Sequence, residues 1–102
     1  MQKVQAKVRK FIGKYDLKMP LENWNFELVS EIGELGKEFN KGSKYGKKPQ
    51  ELTEDFELEI GDIFYSLLGL SNQANLDLKS CLNKVLAKYK ERFDKNGKIS
   101  SS

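Results

Sequence analysis

The chain has 102 residues and a formal net charge of +3, with 38% hydrophobic, 11% aromatic and 32% charged residues. That is the length of one domain, and the composition is too apolar and aromatic for an obligately disordered chain. Histidine is absent, which excludes a Ser-His-Asp triad, a Cys-His pair, His-ligated zinc and a Glu-x-x-His di-iron bundle. The single cysteine, Cys81, excludes an internal disulfide and points to a reducing, cytoplasmic setting.

The first residues, MQKVQAKVRKFIGK, spread their basic groups and lack the apolar segment of a signal peptide. No stretch approaches the ~18 apolar residues of a membrane span. Instead Val4, Val8, Phe11, Ile12 and Tyr15 recur at helical spacing and predict a first helix over about 2–15, broken by Asp16 to Pro20. Trp24, Leu28, Ile32, Leu35 and Phe39 define the apolar face of a second helix over 21–40, with Asn40 and Gly42 as stop signals. The segment KGSKYGKK, 41–48, reads as a lysine-rich loop. A third helix is expected over 50–74, buried through Leu52, Phe56, Ile60, Ile63, Phe64 and Leu67. Glu57 falls inside that arc, which implies a bend before Glu59 or a basic partner at a subunit contact. Asn75 or Asp77 can cap a fourth helix over 78–94, with Leu78, Leu82, Val85, Leu86, Tyr89 and Phe93 on its core face. Asn96-Gly97 ends it. The expectation is one all-α domain over 1–95, a four-helix bundle-like fold, followed by a frayed tail over 96–102. Broad apolar faces on so short a chain also predict a homo-oligomer, a dimer or a tetramer.

The second and third helices carry the chemistry. At about 100° per residue, with Glu27 at zero, Glu31 falls near 40°, Glu34 near −20° and Glu38 near 20°. Four carboxylates therefore share one stripe beside the apolar arc, where like charges at these spacings repel. Glu59 and Asp62 form a second acidic pair next to Ile60 and Ile63, with Asp55 on the same side. If the helices pack antiparallel, the pairs Glu31-x-x-Glu34 and Glu59-x-x-Asp62 can face each other. Such a cluster needs raised carboxyl pKa values or a hard cation. With no histidine and no usable cysteine, the oxygen-only ligand set selects magnesium, manganese or calcium, and there is no EF-hand loop to favour calcium. Spacing alone leaves open two readings: solvated acidic faces, or a carboxylate-magnesium site.

The pattern Glu31-x-x-Glu34, 24 residues, Glu59-x-x-Asp62 resembles the signature of the all-α nucleoside triphosphate pyrophosphohydrolases, and within them the MazG-like proteins. LVSEIGELGKEF over 28–39, ELEIGDIFYSLLGLSNQANLDL over 57–78 and KVLAKYKERF over 84–93 share the resemblance. It implies cleavage of a nucleoside triphosphate between the α and β phosphates, giving monophosphate and pyrophosphate, as in the house-cleaning of non-canonical or excess nucleotides. It also implies that Glu31, Glu34, Glu59 and Asp62 hold magnesium, with manganese as the alternative ion, and that the protein is a dimer or tetramer. On this reading the partner is the nucleotide; neither a membrane nor a specific nucleic acid is expected. Glu34, with Glu31, is the candidate catalytic carboxylate that accepts the proton of the attacking water. Glu38 reads as a further ligand or as a solvated glutamate.

Lys84 and Lys88, four apart on the last helix, read either as pyrophosphate-binding cations or as surface charge; Arg92 reads as surface charge. Trp24, beside the acidic stripe, is either core or a stacking platform for a nucleobase. Tyr89 reads as core, the loop lysines 41, 44, 47 and 48 as solubilising, and Cys81 as a buried thiol. The alternative to an enzyme is a non-catalytic helical protein-interaction module.

Overall fold

Proline and short polar side chains set the helix boundaries of the chain. In a computed structural model describing residues 1–100, the four helices are α1 (Gln2–Lys14), α2 (Leu21–Gly42), α3 (Glu54–Gln73) and α4 (Leu78–Asn96). There is no strand among the described residues, so the fold is all-α. Among the described residues, no helix is long and apolar enough to cross a membrane. Of the tail expected at 96–102, Asn96 is still helical, and Ser101 and Ser102 lie outside the described residues.

Pro20 is the N-cap of α2, at φ −56°, a place where a missing N–H costs nothing. The helix passes the expected stop at Asn40 and ends at Gly42, whose carbonyl accepts the Glu51 N–H at 3.0 Å. Gly42 fits against the Gln50 side chain and the Glu51 carbonyl, and a Cβ there would overlap both. The third helix starts at Glu54, not at 50. Pro49 disfavours a helical residue before it, and Thr53 supplies the cap, its Oγ1 accepting the Phe56 N–H at 3.4 Å. Glu57 thereby falls in the first turn, exposed at the positive end of the helix dipole together with Glu54 and Asp55. Its acidity there requires no bend. Asp77 caps α4 by accepting the Lys79 N–H, and Gly97, at φ 71°, closes it in the left-handed conformation that glycine adopts freely.

α2 and α3 form the principal packed pair, antiparallel across the loop 43–53. Phe39 meets Phe56 with ring centroids 5.0 Å apart, and two to four turns away Trp24 meets Tyr65 at 5.7 Å. Trp24 and Leu68, each 2% exposed, are the buried hydrophobic residues. The indole of Trp24 lies on Gly69, where any Cβ would collide with its six-membered ring.

α1 packs on α3 through Phe11 against Tyr65 and through a buried amide clamp. The Gln5 side chain donates to Asn72 Oδ1 and to the Leu76 carbonyl, and accepts from the Leu78 N–H. Asn72 Nδ2 returns a bond to the Gln5 carbonyl. One glutamine thus ties α1 to the end of α3 and the start of α4.

α4 has no substantial packing against another helix and no buried residue. Its apolar arc exists as the spacing predicts, but the chain does not cover it: Leu78, Val85 and Tyr89 are half-buried, and Leu82, Leu86 and Phe93 are more than half exposed. The reading of these residues as a core face within one chain is corrected accordingly.

Candidate metal centre

The antiparallel pair brings its acidic residues together across the seam. Glu31 of α2 and Glu59 and Asp62 of α3 each place a carboxylate oxygen within 4.8 Å of the others. Glu31 and Glu59 are half-buried and Asp62 is exposed. Oε2 of Glu59 is sealed from solvent and has no hydrogen-bond partner. Among the described residues, no lysine or arginine forms an ion pair with any of the three. The physical consequence appears at Glu31, whose pKa is pushed above the ordinary 4.5, first by desolvation and then by repulsion from Asp62 and Glu59. Interaction with Glu59 as a hydrogen-bond partner and the charge of Glu27 add to the same direction. Three convergent carboxylates, one of which also carries an oxygen buried without a donor, fit a divalent cation, and among the described residues no cation of the chain fills that role.

The other residues expected at the site are placed as follows. Glu34 lies outside the cluster, its carboxylate 3.2 Å from Lys37 Nζ and its side chain 47% exposed. The helical wheel explains the division. The inward side of α2, marked by Trp24 near 60° and the half-buried Leu35 near 80°, lies about 20–40° from Glu31 but about 80–100° from Glu34. Glu38, near 20°, has a side chain only 13% exposed and meets Lys41 at 3.5 Å. Lys84 and Lys88 are exposed on α4, with Lys88 Nζ 5.5 Å from the Tyr89 ring, and neither pairs with the carboxylates. Arg92 donates to the Ile99 carbonyl at 3.4 Å. Lys48 pairs with Glu51, and Cys81 is half-buried.

Trp24 is in the core, and it also borders a cleft of about 240 Å³ shared with Leu17, Met19, Glu27, Glu31, Asp62, Tyr65 and Ser66. Of these, Tyr65 and Ser66 could have been found from the sequence, because they lie three and four residues beyond Asp62 on the same helix. Leu17 and Met19 come from the turn before Pro20, where no period marks them.

An acid-clustered helical hairpin with an oxygen-only ligand set defines a class of all-α domain suited to a hard divalent ion and its phosphate ligands. Residues 21–96 match the MazG nucleotide pyrophosphohydrolase domain, and the chain belongs to that family. It is 35% identical over 97 residues to the uncharacterized protein YpjD of Bacillus subtilis, covering 90% of this chain and 85% of that protein. It is 42% identical over 55 residues to the nucleoside triphosphate pyrophosphohydrolase/pyrophosphatase MazG of Thermotoga maritima, a match that spans 54% of this chain and 20% of that longer protein. The fold superposes on the crystal structure of YPJD from Bacillus subtilis, described as a candidate pyrophosphatase, with a TM-score of 0.74 and 31% identity over 90% of this chain and 94% of that one. Family and fold together support a pyrophosphohydrolase.

Proposed function

We propose that the protein hydrolyses nucleoside triphosphates between the α and β phosphates in the presence of magnesium or manganese, releasing nucleoside monophosphate and pyrophosphate. The observation that carries this reading is the convergence of Glu31, Glu59 and Asp62 with no cation of the chain among them. A bare triphosphate would be repelled by these carboxylates, so the substrate must arrive with a cation. Glu31, Glu59 and Asp62 would hold the ion, with Glu34 as the fourth carboxylate at the edge of the site. A bound divalent ion would offset the phosphate charge and acidify a water for attack on phosphorus.

Glu34 then has a separate use. Its side chain lies outside the cluster and 47% exposed, and its only close partner is the exposed Lys37. It can turn toward the site and accept the proton of the attacking water. Glu31 carries the opposite burden: desolvation and its anionic neighbours Asp62, Glu59 and Glu27 raise its pKa, and a bound cation would favour its ionised form. Lys84 and Lys88 reach the leaving pyrophosphate only if another copy of the chain brings α4 over the cluster. Self-association of this kind would also cover Leu82, Leu86 and Phe93, whose exposure in one chain is otherwise unexplained. The setting proposed is the cytoplasm, and the role is removal of non-canonical or excess nucleotides.

The bare apolar arc of α4 also favours a second reading, a non-catalytic helical interaction module. One experiment separates them. The protein is incubated with a panel of ribo- and deoxyribonucleoside triphosphates and magnesium, and the products are resolved by anion exchange. Monophosphate and pyrophosphate in equal amounts are expected. Diphosphate with orthophosphate would defeat the assignment, and inertness toward the whole panel, modified bases included, would favour the interaction module.

A further inference from the structure

A second cleft, of about 260 Å³, lies between α1 and α3 and shares only Trp24 with the cleft that reaches Glu31 and Asp62. Its α3 wall begins at Gly69, about 10 Å of helix beyond Asp62. Its floor is apolar, made of the buried Trp24 and Gly69 and the half-buried Ile12. No carboxylate lines it, and its two charged groups, the exposed Arg9 and Lys18, are both cations. Neither forms an ion pair among the described residues.

Separate pieces of structure bring the two cations together. Asn72 is locked by the buried Gln5, and its Oδ1 also accepts from Arg9 Nη2 at 3.3 Å. One guanidinium nitrogen is thereby anchored on a part-buried amide, and the remaining donors of the fork are free. Lys18 comes from the turn after α1. There the Leu17 N–H bonds the Ile12 carbonyl at 2.9 Å and Asp16 takes φ 54°, which folds the chain back over the end of the helix.

We propose that this cleft binds a small aromatic anion, its ring on Ile12 and Trp24 and its carboxylate or phosphate between Arg9 and Lys18. Size is the first argument. A cavity of about 150 Å³ holds a benzene ring, so the cleft has room for one ring and an anionic group. It is smaller than the roughly 300–1,000 Å³ of pockets that enclose drug-sized ligands. Charge is the second. The arginine fork matches the paired oxygens of a carboxylate or phosphate, and the lysine adds a point charge. With no acid in the lining, the ligand must supply the negative charge. The site uses Arg9, Ile12 and Lys18, which precede the family domain matched at 21–96. It is independent of the pyrophosphohydrolase reading.

The test needs no turnover. Phenyl phosphate and benzoate are titrated into the protein in EDTA, followed by calorimetry and by the emission of Trp24, the chain's only tryptophan. At least one should bind saturably, one per chain. Benzyl alcohol lacks the charge and inorganic phosphate lacks the ring, so each should bind at least about tenfold more weakly. Arg9→Gln and Lys18→Gln should each weaken binding about tenfold, the effect of losing a charged hydrogen-bond donor. Lys7→Gln removes the same charge from α1 outside the cleft and should leave affinity unchanged. All three side chains are exposed, so these variants keep the fold. Tighter binding of phenyl phosphate assigns the site to a phosphate ester, and tighter binding of benzoate to a carboxylate. Absence of saturation with both probes overturns the proposal, as does inorganic phosphate binding as tightly as phenyl phosphate, or wild-type affinity in the Arg9→Gln, Lys18→Gln double variant. Glu31→Gln should bind both probes like the wild type; a changed affinity there would move the ligand to the acidic cleft and defeat this assignment.

Discussion

Glu31 and Glu59 approach each other across the α2–α3 seam with Asp62 beside them, and one oxygen of Glu59 is shut off from water and from every donor. Carboxylates so placed are a liability to the folded chain by itself, because the charges of Asp62 and Glu59 add to burial in raising the cost of ionising Glu31. The liability becomes an affinity when a divalent ion enters. This relationship makes metal binding and stability two measurements of one cluster.

Glu59→Gln combined with Asp62→Asn removes two of the three charges at nearly constant volume. In the metal-free protein the double variant should melt at the same temperature as the wild type or a few degrees higher, since relief of repulsion at this scale is worth about 0.5 kcal/mol. Magnesium should no longer raise its melting point, and turnover should fall about a hundredfold or more, given that even the groups behind metal ligands are worth ten- to a hundredfold. A variant that kept its turnover would remove these residues from the site.

The pH dependence follows from Glu31. Its folded pKa lies above the ordinary 4.5, so the native state binds more protons than the unfolded state in the interval above that value. The stabilisation from a protonated Glu31 is complete below the unfolded pKa and is lost as pH rises through the folded one. The metal-free protein should therefore lose melting temperature as pH rises from about 4.5 toward neutrality. Glu31→Gln should flatten that decline. Added magnesium should act in the opposite sense, its stabilising increment growing with pH because it displaces a proton. Calorimetric scans with and without EDTA at each pH measure both slopes.

The two acidic pairs were legible in the sequence because identity and spacing fix the angular position of a residue on its own helix. What spacing could not show was how the second helix would cross the first. α3 meets only one edge of the 60° stripe of α2, which draws Glu31 inward and leaves Glu34 with Lys37. The start of α3 was misplaced by four residues because the apolar period begins at Leu52, whereas the backbone begins at the Thr53 cap after Pro49. The helical character of α4 was plain, and its lack of a packing partner was not, since an amphipathic pattern says that a face wants burial but not against what. The cleft beside Trp24 was the least visible feature. Two of its walls come from an aperiodic turn, and a third, the Trp24 indole, is seated on Gly69, where a Cβ would collide with the ring.

Gly69→Ala sets two effects against each other. In an exposed helix the change would stabilise by about 1 kcal/mol. Here the new Cβ collides with the Trp24 ring, and overpacking of this kind costs about 1–3 kcal/mol. The collision should win because both residues are buried and the ring is also packed edge-on against Tyr65. Urea titration should show a net loss of stability, accompanied by a change in tryptophan emission.

Gln5→Ala tests how α4 is held. The substitution strips the partner from the Leu78 N–H at the first turn of α4 and from the Leu76 carbonyl. Buried groups left unsatisfied cost about 1–3 kcal/mol. The loss should be local: hydrogen exchange should accelerate at Leu76–Cys81 and leave the α2–α3 seam protected, and turnover at saturating metal should fall less than stability does.

The last prediction concerns the uncovered face of α4. Leu82, Leu86 and Phe93 are 57%, 54% and 58% exposed on one stripe of the helix, and among the described residues Trp24 and Leu68 alone make a small buried hydrophobic core for a chain of this length. Contiguous exposed apolar surface on a small domain marks an association site. Light scattering at micromolar concentration should therefore give a mass at least twice that of one chain. Leu86→Glu, a charge at the centre of the stripe that touches none of the carboxylates, should shift the mass toward the monomer. If Lys84 and Lys88 act from the other copy, the same variant should lose turnover in step with its loss of assembly, and turnover should recover as protein concentration is raised. Turnover that stays constant while the assembly falls apart would place the complete site within one chain and return Lys84 and Lys88 to surface charge.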